Sequence, residues 1–192
     1  SALNKMYIEL HTASAFSFLE GASLPATLIE RAAELGYPAL ALLDRDGLYG
    51  APQFYRAAKA AGLKAIVGAE LTMQPNVPGP ASSGPDAGLL APHVSWSLPV
   101  LVQSADGYRQ LCRVITQGRL RSGKGEARFT LEDFAGQSSG LIALVGREAL
   151  RAARQLCFDG PCAGAGARLV QPFTQLGAAH AVEREHRAVA LQ

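Results

Sequence analysis

Three residues that can bind a metal ion or transfer a proton stand at the carboxyl ends of predicted strands. Loops at the carboxyl ends of parallel strands surround the functional site in α/β folds, so one imidazole and two carboxylates can converge there. Taken separately, each has a simpler interpretation: an ordinary exposed or hydrogen-bonded histidine, a cap for the following turn, and a sheet-edge residue. Only the joint position favours a metal site. The residues are His11 after the apolar run 6–10, Asp44 at the end of 38–44, and Glu70 near the end of 64–71.

Helical patterns lie between these strands and place the chain in the α/β class. The first helix is predicted after Ser23 as N-cap, with Pro25 in its first turn and Gly36 as its stop. Strands that alternate with helices of this length imply a mainly parallel sheet. The remaining predicted elements are a helix at 51–62, strands at 98–104 and 140–146, a helix from about Asp106, a short helix capped by Thr130 and Asp133, and a helix at 147–158.

Three other stretches carry less specific signals. Residues 74–95 are rich in proline and glycine and predict a flexible loop. Phe16 and Phe18 could stack on nucleic-acid bases, but their place in the strand–helix pattern favours packing in the core. The basic stretch 119–128 could contact phosphates, although a solvated loop is the simpler interpretation.

The composition is that of an ordinary globular protein and excludes several classes. The 192 residues are 48% hydrophobic and carry a net charge of +2, which does not indicate a strongly basic nucleic-acid surface. No apolar run approaches the roughly 20 residues needed to span a bilayer. The three cysteines are unevenly spaced and predict free thiols in a cytoplasmic protein; they are Cys112, Cys157 and Cys162.

Long, ordered motifs give the chain a resemblance to a known family. The stretches "YIELHTASAFSFLEGAS", "GYPALALLDRDGLYG" and "AAKAAGLKAIVGAEL" resemble the amino-terminal PHP (polymerase and histidinol phosphatase) domain of error-prone bacterial DNA polymerase III alpha-type proteins. The resemblance is strongest over residues 6–150. It implies a single PHP-like domain over 1–192 with a distorted (β/α)7-type barrel, truncated at its C-terminus, in which 163–192 are not placed. An incomplete barrel would expose apolar edges and favour self-association.

Active members of this family hold a cluster of metal ions that polarises a phosphate and activates water. Measured against the family pattern, three ligand positions remain and four are lost. Arginine cannot bind a metal ion, and two of the lost positions are arginines. The retained positions are His11, Glu20 and Glu70. The lost positions are Ala13, Arg45, Ser97 and Arg147, and His93 could replace Ser97 only if the loop register slips.

The resemblance therefore implies a degenerate PHP domain that acts as a structural or interaction module in DNA replication or repair. Its parent family is the DNA-directed DNA polymerases, whose catalytic aspartates belong to a palm domain that a chain of this length cannot contain. The expected partners are the polymerase body or other replication and repair proteins, with DNA contacted only indirectly and no membrane.

Two other uses of the same residues stay open. One is a metal-dependent phosphoesterase or 3′–5′ exonuclease with zinc or manganese at a partial site formed by His11, Glu20 and Glu70. The other is a small-anion site that uses the guanidinium groups of Arg45 and Arg147. In the degenerate reading no cofactor is expected, and Arg45 forms an ion pair with Glu20, Asp44 or Glu70.

Overall fold

The protein is a mixed α/β structure, described here by a computed structural model for residues 7–74 and 95–146. Within these ranges the strands form one sheet in the order β1-β2-β3-β4. The strands are β1 (Ala39–Arg45), β2 (Lys64–Met73), β3 (Trp96–Val102) and β4 (Leu141–Ala143). The helices are α1 (Pro25–Glu34), α2 (Ala51–Ala61) and α3 (Ala105–Arg121), followed by a 3₁₀ turn at Leu131–Phe134.

The sheet of the described residues is not mainly parallel, and that prediction is wrong. Strands β1 and β2 pair in parallel, as expected for two strands joined by a helix. Strand β3 pairs antiparallel with β2, and β4 pairs antiparallel with β3. Helix α3 carries the chain away from the end of β3, and residues 122–140 bring it back to the same end. The amide of Gln103 there donates to the carbonyl of Gly140 at 2.9 Å.

The predicted first strand is not a full strand. The described part of it, residues 7–10, makes a single bridge between Glu9 and Leu40 at the edge of the sheet. The amide of Ala41 donates to the carbonyl of Glu9, and the amide of Leu43 donates to the carbonyl of Thr12. The segment therefore runs beside β1 as an irregular edge, which still brings His11 to the carboxyl end of the sheet.

Helix ends follow the sequence more closely than strand directions do. Helix α1 begins at Pro25, one residue later than an N-cap at Ser23 predicts; its N-cap is Leu24, and no side chain caps it. Ser23, the predicted cap, instead accepts a hydrogen bond from the amide of Ala15 through its carbonyl and closes the preceding loop. Gly36 has a φ of +72°, the left-handed backbone that glycine adopts without strain, and it ends the helix as predicted.

The three helices and the 3₁₀ turn pack against one face of the sheet. Helices α1 and α2 cover β1 through a cluster that includes Leu42 and Phe54. Helix α3 and the 3₁₀ turn cover β2, β3 and β4, and the predicted capping box between Thr130 and Asp133 is present. A smaller cluster that includes Leu43 lies on the opposite face. Alternation along β1 therefore gives Asp44 the helix-covered face and Arg45 the other.

Several predictions lie outside the described residues. They are nearly all of the loop at 74–95, the helix at 147–158, and the residues His93, Arg147, Cys157 and Cys162. The seven-unit barrel with its truncated end stays a prediction. Cys112 is a free thiol. Over residues 7–74 and 95–146, none of the helices combines the length and the apolar character that a membrane span requires.

Candidate functional site

The candidate site lies where β1 and β2 end, as the sequence predicts. Arg45 and Glu70 are direct neighbours in the register of the parallel pair, so their side chains emerge together on the same face. The edge segment brings His11 to Glu70, and the adjacent antiparallel strand brings Ser97. The structure thus brings together His11, Arg45, Glu70 and Ser97 at one end of the sheet, where β1 and β2 end. The side chain of Arg45 connects this group to Glu20.

Glu70 is held on both of its carboxylate oxygens. His11 Nε2 lies 2.9 Å from Glu70 Oε2, and the hydroxyl of Ser97 donates to Oε1. The contact with His11 is the largest cause that lowers the pKa of Glu70, and the Ser97 hydrogen bond adds to it, while partial burial opposes them. The resemblance predicts a histidine near position 97; this chain has Ser97 there, whose hydroxyl donates to the carboxylate of Glu70.

Arg45 forms an ion pair with Glu20, one of the partners that the sequence predicts. The guanidinium Nη2 lies 2.5 Å from Glu20 Oε1. Both side chains are partly exposed, so the pair contributes at most about 1 kcal/mol to stability. Its consequence for the site is larger, because the guanidinium stands at a ligand position that the resemblance marks as lost and engages the carboxylate of Glu20, a retained one.

Asp44 does not join the site and does not cap the turn after it. Its side chain is only 1% exposed, and Oδ1 accepts three hydrogen bonds. The donors are the amide of Ser14 at 2.8 Å, the hydroxyl of Ser14 at 2.8 Å and the hydroxyl of Ser17 at 2.9 Å. Asp44 therefore anchors the loop between His11 and α1 to the sheet. Sequence reasoning missed both serines, because small hydroxyl residues in a loop are common and signal nothing alone.

Residues 16–21, called here the Phe18 turn, lie in the middle of that loop. Phe16 and Phe18 were expected in the core, and this prediction is wrong: Phe18 is 83% exposed and Phe16 is 43% exposed. The alternation of aromatic and serine residues resembles a strand. The serines, however, are the buried members, because they bind Asp44, and the aromatic side chains point outward as a result.

A second carboxylate, missed by sequence reasoning, braces the turn after β1. Asp46 has a φ of +52°, and its carboxylate accepts hydrogen bonds from the amide and hydroxyl of Thr72 at 2.7 and 2.9 Å. Its carbonyl accepts two hydrogen bonds from Arg119, whose guanidinium also lies over the ring of Tyr49. Burial raises the pKa of Asp46, against the Thr72 hydrogen bonds.

Three of the basic side chains in the stretch 119–128 bind other groups of the protein. Arg119 and Arg121 belong to α3 rather than to a loop. Arg119 binds the Asp46 carbonyl, and Arg121 lies 2.6 Å from Asp133. Arg128 pairs with Glu126 at 2.9 Å. These contacts favour the simpler interpretation of the stretch over a phosphate-binding surface.

The donor set at the site does not fit the metal cluster that the family implies. Within residues 7–74 and 95–146, no three His, Cys, Asp or Glu side chains group together in a way that could hold a metal ion. His11 and Glu70 form a pair, and Glu20 is engaged by Arg45. A guanidinium at a ligand position adds a fixed positive charge, which disfavours a divalent cation nearby.

We expect Glu70→Gln to destabilise the protein by about 1 kcal/mol at neutral pH, since it weakens the His11 contact and the Ser97 hydrogen bond. Folding lowers the pKa of Glu70 below its ordinary value of 4.5, so the ionised carboxylate stabilises the fold above that pH. This contribution disappears as pH falls through the lowered value. Urea unfolding at neutral pH and at steps below 4.5 should therefore show the two proteins converging in acid.

Glu34→Gln is the matched control, because Glu34 forms an exposed ion pair with Arg31 within α1. Its effect should be near zero at neutral pH. If Glu70→Gln behaves like this control, the His11–Glu70 pair does not stabilise the fold.

Comparisons with known proteins agree with the resemblance in the motifs. The family model described as the PHP domain matches residues 9–177. The error-prone DNA polymerase of Mycolicibacterium paratuberculosis is 43% identical over 127 residues, which are 66% of this chain and 11% of that protein. The error-prone DNA polymerase of Pseudomonas fluorescens is 41% identical over 138 residues, which are 72% of this chain and 12% of that protein.

A solved structure of an amidohydrolase from Chromobacterium violaceum is a distant neighbour. It has a TM-score of 0.47 and 17% identity, and the match covers 89% of this chain and 74% of that one. This likeness is too weak to carry an argument. The chain spans about a tenth of the length of the curated polymerases it matches. The family match, in contrast, covers most of the chain, which therefore belongs to the PHP domain family.

Proposed function

We propose that this chain is a degenerate PHP domain that acts as a structural and interaction module of an error-prone DNA polymerase, in DNA replication or repair. The observation that carries the proposal is the Arg45–Glu20 ion pair, which fills one ligand position with a guanidinium and engages a second. Its partner is the polymerase body, DNA is contacted indirectly, and the place of action is the cytoplasm. The high identity to polymerases over this region supports the assignment of the partner.

The contacts at the site suit a role in holding the domain together. In an active PHP site, metal ions connect the loops to the strands. Here the Arg45–Glu20 pair and the His11–Glu70 pair connect the same loop to β1 and β2. We infer that side-chain pairs replace metal ions as the crosslinks of this edge of the sheet.

The enzyme alternative needs chemistry that these residues supply poorly. Attack on a phosphate ester needs an activated water and cationic stabilisation of the developing charge. The carboxylate of Glu70 is engaged on both oxygens, and the guanidinium of Arg45 is directed to Glu20. The experiment must therefore be able to detect the alternative, which is a phosphoesterase with zinc or manganese at His11, Glu20 and Glu70.

The deciding experiment measures metal content in the full chain after dialysis against zinc or manganese, by inductively coupled plasma mass spectrometry. We expect the unmodified protein to hold substoichiometric metal. Arg45→His should raise the metal content, because it supplies an imidazole and releases Glu20. Arg109→His is the matched control, since Arg109 forms an exposed ion pair with Asp106 on α3.

The opposite result would be stoichiometric metal in the unmodified chain that His11→Ala removes. Hydrolysis of a phosphodiester such as bis-p-nitrophenyl phosphate, lost in the same variant, would then establish an enzyme. An unmodified chain and an Arg45→His variant that are both empty would show that Arg45 alone does not close the site, although the structural role would stand.

A further inference from the structure

The Phe18 turn presents two large apolar side chains to solvent. Phe18 is 83% exposed and Leu19 is 91% exposed, and they are consecutive in the chain. Leu19 has a φ of +66°, which is a strained backbone for a side chain of this size. Strain of this kind persists where the surrounding structure enforces it, and it is concentrated at functional sites.

The surrounding hydrogen bonds hold the turn in this conformation. The amides of Glu20 and Gly21 both donate to the carbonyl of Ser17 at 2.9 and 3.0 Å. The hydroxyl of Ser17 donates to Asp44 and accepts from the amide of Arg45 at 3.0 Å. The turn is thus tied to a buried carboxylate and to β1, and a partner would pay little entropy to bind it.

The charge around the turn disfavours nucleic acid as the partner. There is no lysine or arginine between Tyr7 and Glu30, and the segment contains acidic residues. Binding to nucleic acid depends on cations that neutralise phosphates. The nearby guanidinium of Arg45 is paired with Glu20. An apolar protein surface suits Phe18 and Leu19 better than a nucleic-acid backbone does.

We propose that the Phe18 turn docks into an apolar cavity on the polymerase polypeptide outside the PHP domain. The inference rests on the proposed function and locates its contact surface. The size of the related polymerases supports the choice of partner. Two of them are 43% and 41% identical to this chain over the matched region, and that region is only 11% and 12% of their length. Most of each polymerase is therefore available to cover the turn.

The test places this chain in the P. fluorescens error-prone polymerase in exchange for the PHP region of that protein. A benzoylphenylalanine photocrosslinker replaces Phe18, and the same group replaces Leu120 as the matched control. Leu120 is 82% exposed and lies on α3. Crosslinked peptides are identified by mass spectrometry with and without primer–template DNA. We expect position 18 to crosslink to the polymerase polypeptide outside the PHP domain, well above position 120.

Each other result overturns the inference. Crosslinks from position 18 to residues 75–94 or 147–192 would show that this chain covers its own turn. Crosslinks to DNA would assign the turn to nucleic acid, crosslinks to a second copy would assign it to self-association, and a yield no higher than at position 120 would show no partner. The same crosslinker at the aligned position of the unmodified P. fluorescens polymerase keeps the test decisive if the chimaera does not fold.

A second measurement separates this inference from the proposed function. Amide hydrogen exchange of residues 15–21 is compared between the full chain alone and the chimaera, and docking should slow it by about tenfold or more. The double variant Phe18→Ser, Leu19→Ser should abolish that protection, whereas Leu120→Ser should leave it intact. The chimaera could extend primers without bound metal and without protection of the turn. That result would contradict the docking site but would leave the structural role of the domain in place.

Discussion

Replacing Asp44 with alanine is expected to lower the free energy of unfolding by about 3–5 kcal/mol, one of the two largest effects we predict for a single substitution. For a chain of this size, that corresponds to a fall in Tm of about 10 °C or more. The buried Oδ1 of Asp44 accepts three hydrogen bonds, all from Ser14 and Ser17. Alanine would leave these donors without their acceptor under the loop that carries the Phe18 turn.

The second carboxylate oxygen of Asp44 makes the site hard to substitute. None of the described residues hydrogen-bonds Oδ2, which is buried near Gly50. A Cβ atom at Gly50 would lie 2.5 Å from Oδ2, 3.0 Å from a methyl of Leu42 and 3.1 Å from the ring of Pro25. An amide at position 44 would place two donors in these mostly apolar surroundings. We therefore expect Asp44→Asn to recover only part of the stability lost in Asp44→Ala.

Thermal unfolding followed by circular dichroism measures these effects, and two variants control for simpler causes. Asp106→Ala removes an exposed carboxylate from the first turn of α3 and should change stability by less than about 0.5 kcal/mol. Ser14→Ala removes one hydroxyl donor but keeps the amide, so its cost should be about 1 kcal/mol. If Asp44→Ala costs no more than Asp106→Ala, the loop is not held by this carboxylate.

The sequence predicted a structural feature correctly where a local rule determines that feature. Proline at the start of α1 and glycine after its end set the helix bounds, because each residue restricts or permits particular backbone angles. His11 and Glu70 meet because both lie at the same end of the sheet, on the two segments that flank β1. The partner of Arg45 was among three acids that the sequence offered, and geometry selected Glu20.

Features that depend on distant parts of the chain were not predictable in the same way. Strand alternation does not encode direction, so the antiparallel pairing of β3 with β2 could not be read from apolar runs. The exposure of Phe18 depends on Asp44, whose buried carboxylate binds the hydroxyls of Ser17 and Ser14. These serines precede Asp44 by 27 and 30 positions in the chain. The Arg119–Asp46 contact joins residues 73 positions apart and leaves no local pattern.

The second of the two largest effects is expected at Gly68, in the middle of β2. A Cβ atom there would overlap the carbonyl oxygen of Val100 on β3 and would lie 3.2 Å from the Cα of Leu101. Backbone atoms of a paired strand cannot move aside without separating the pair. We expect Gly68→Ala to cost about 3 kcal/mol, which is at the upper end for overpacking in a core.

This effect connects the fold to the site, because the pairing of β2 with β3 brings Ser97 to Glu70. Glycine within a strand often marks a close approach of another backbone, and this approach sets the distance between the two strands. Separation at Gly68 should therefore weaken the Ser97 hydrogen bond and raise the pKa of Glu70 toward its ordinary value. A carbon-13 NMR titration of the Glu70 carboxyl would detect that rise.

Gly123→Ala is the matched control for the same added methyl group. A Cβ atom at Gly123 meets nothing within 4 Å, and its φ lies outside the left-handed region. Alanine should be neutral there or stabilise the protein by up to about 1 kcal/mol, since it reduces the freedom of the unfolded chain. Urea unfolding of both variants gives the comparison. Equal stability of the two would mean that β3 can move away from β2 at little cost, and the edge that carries Glu70 and Ser97 would then be held by their side chains rather than by the sheet.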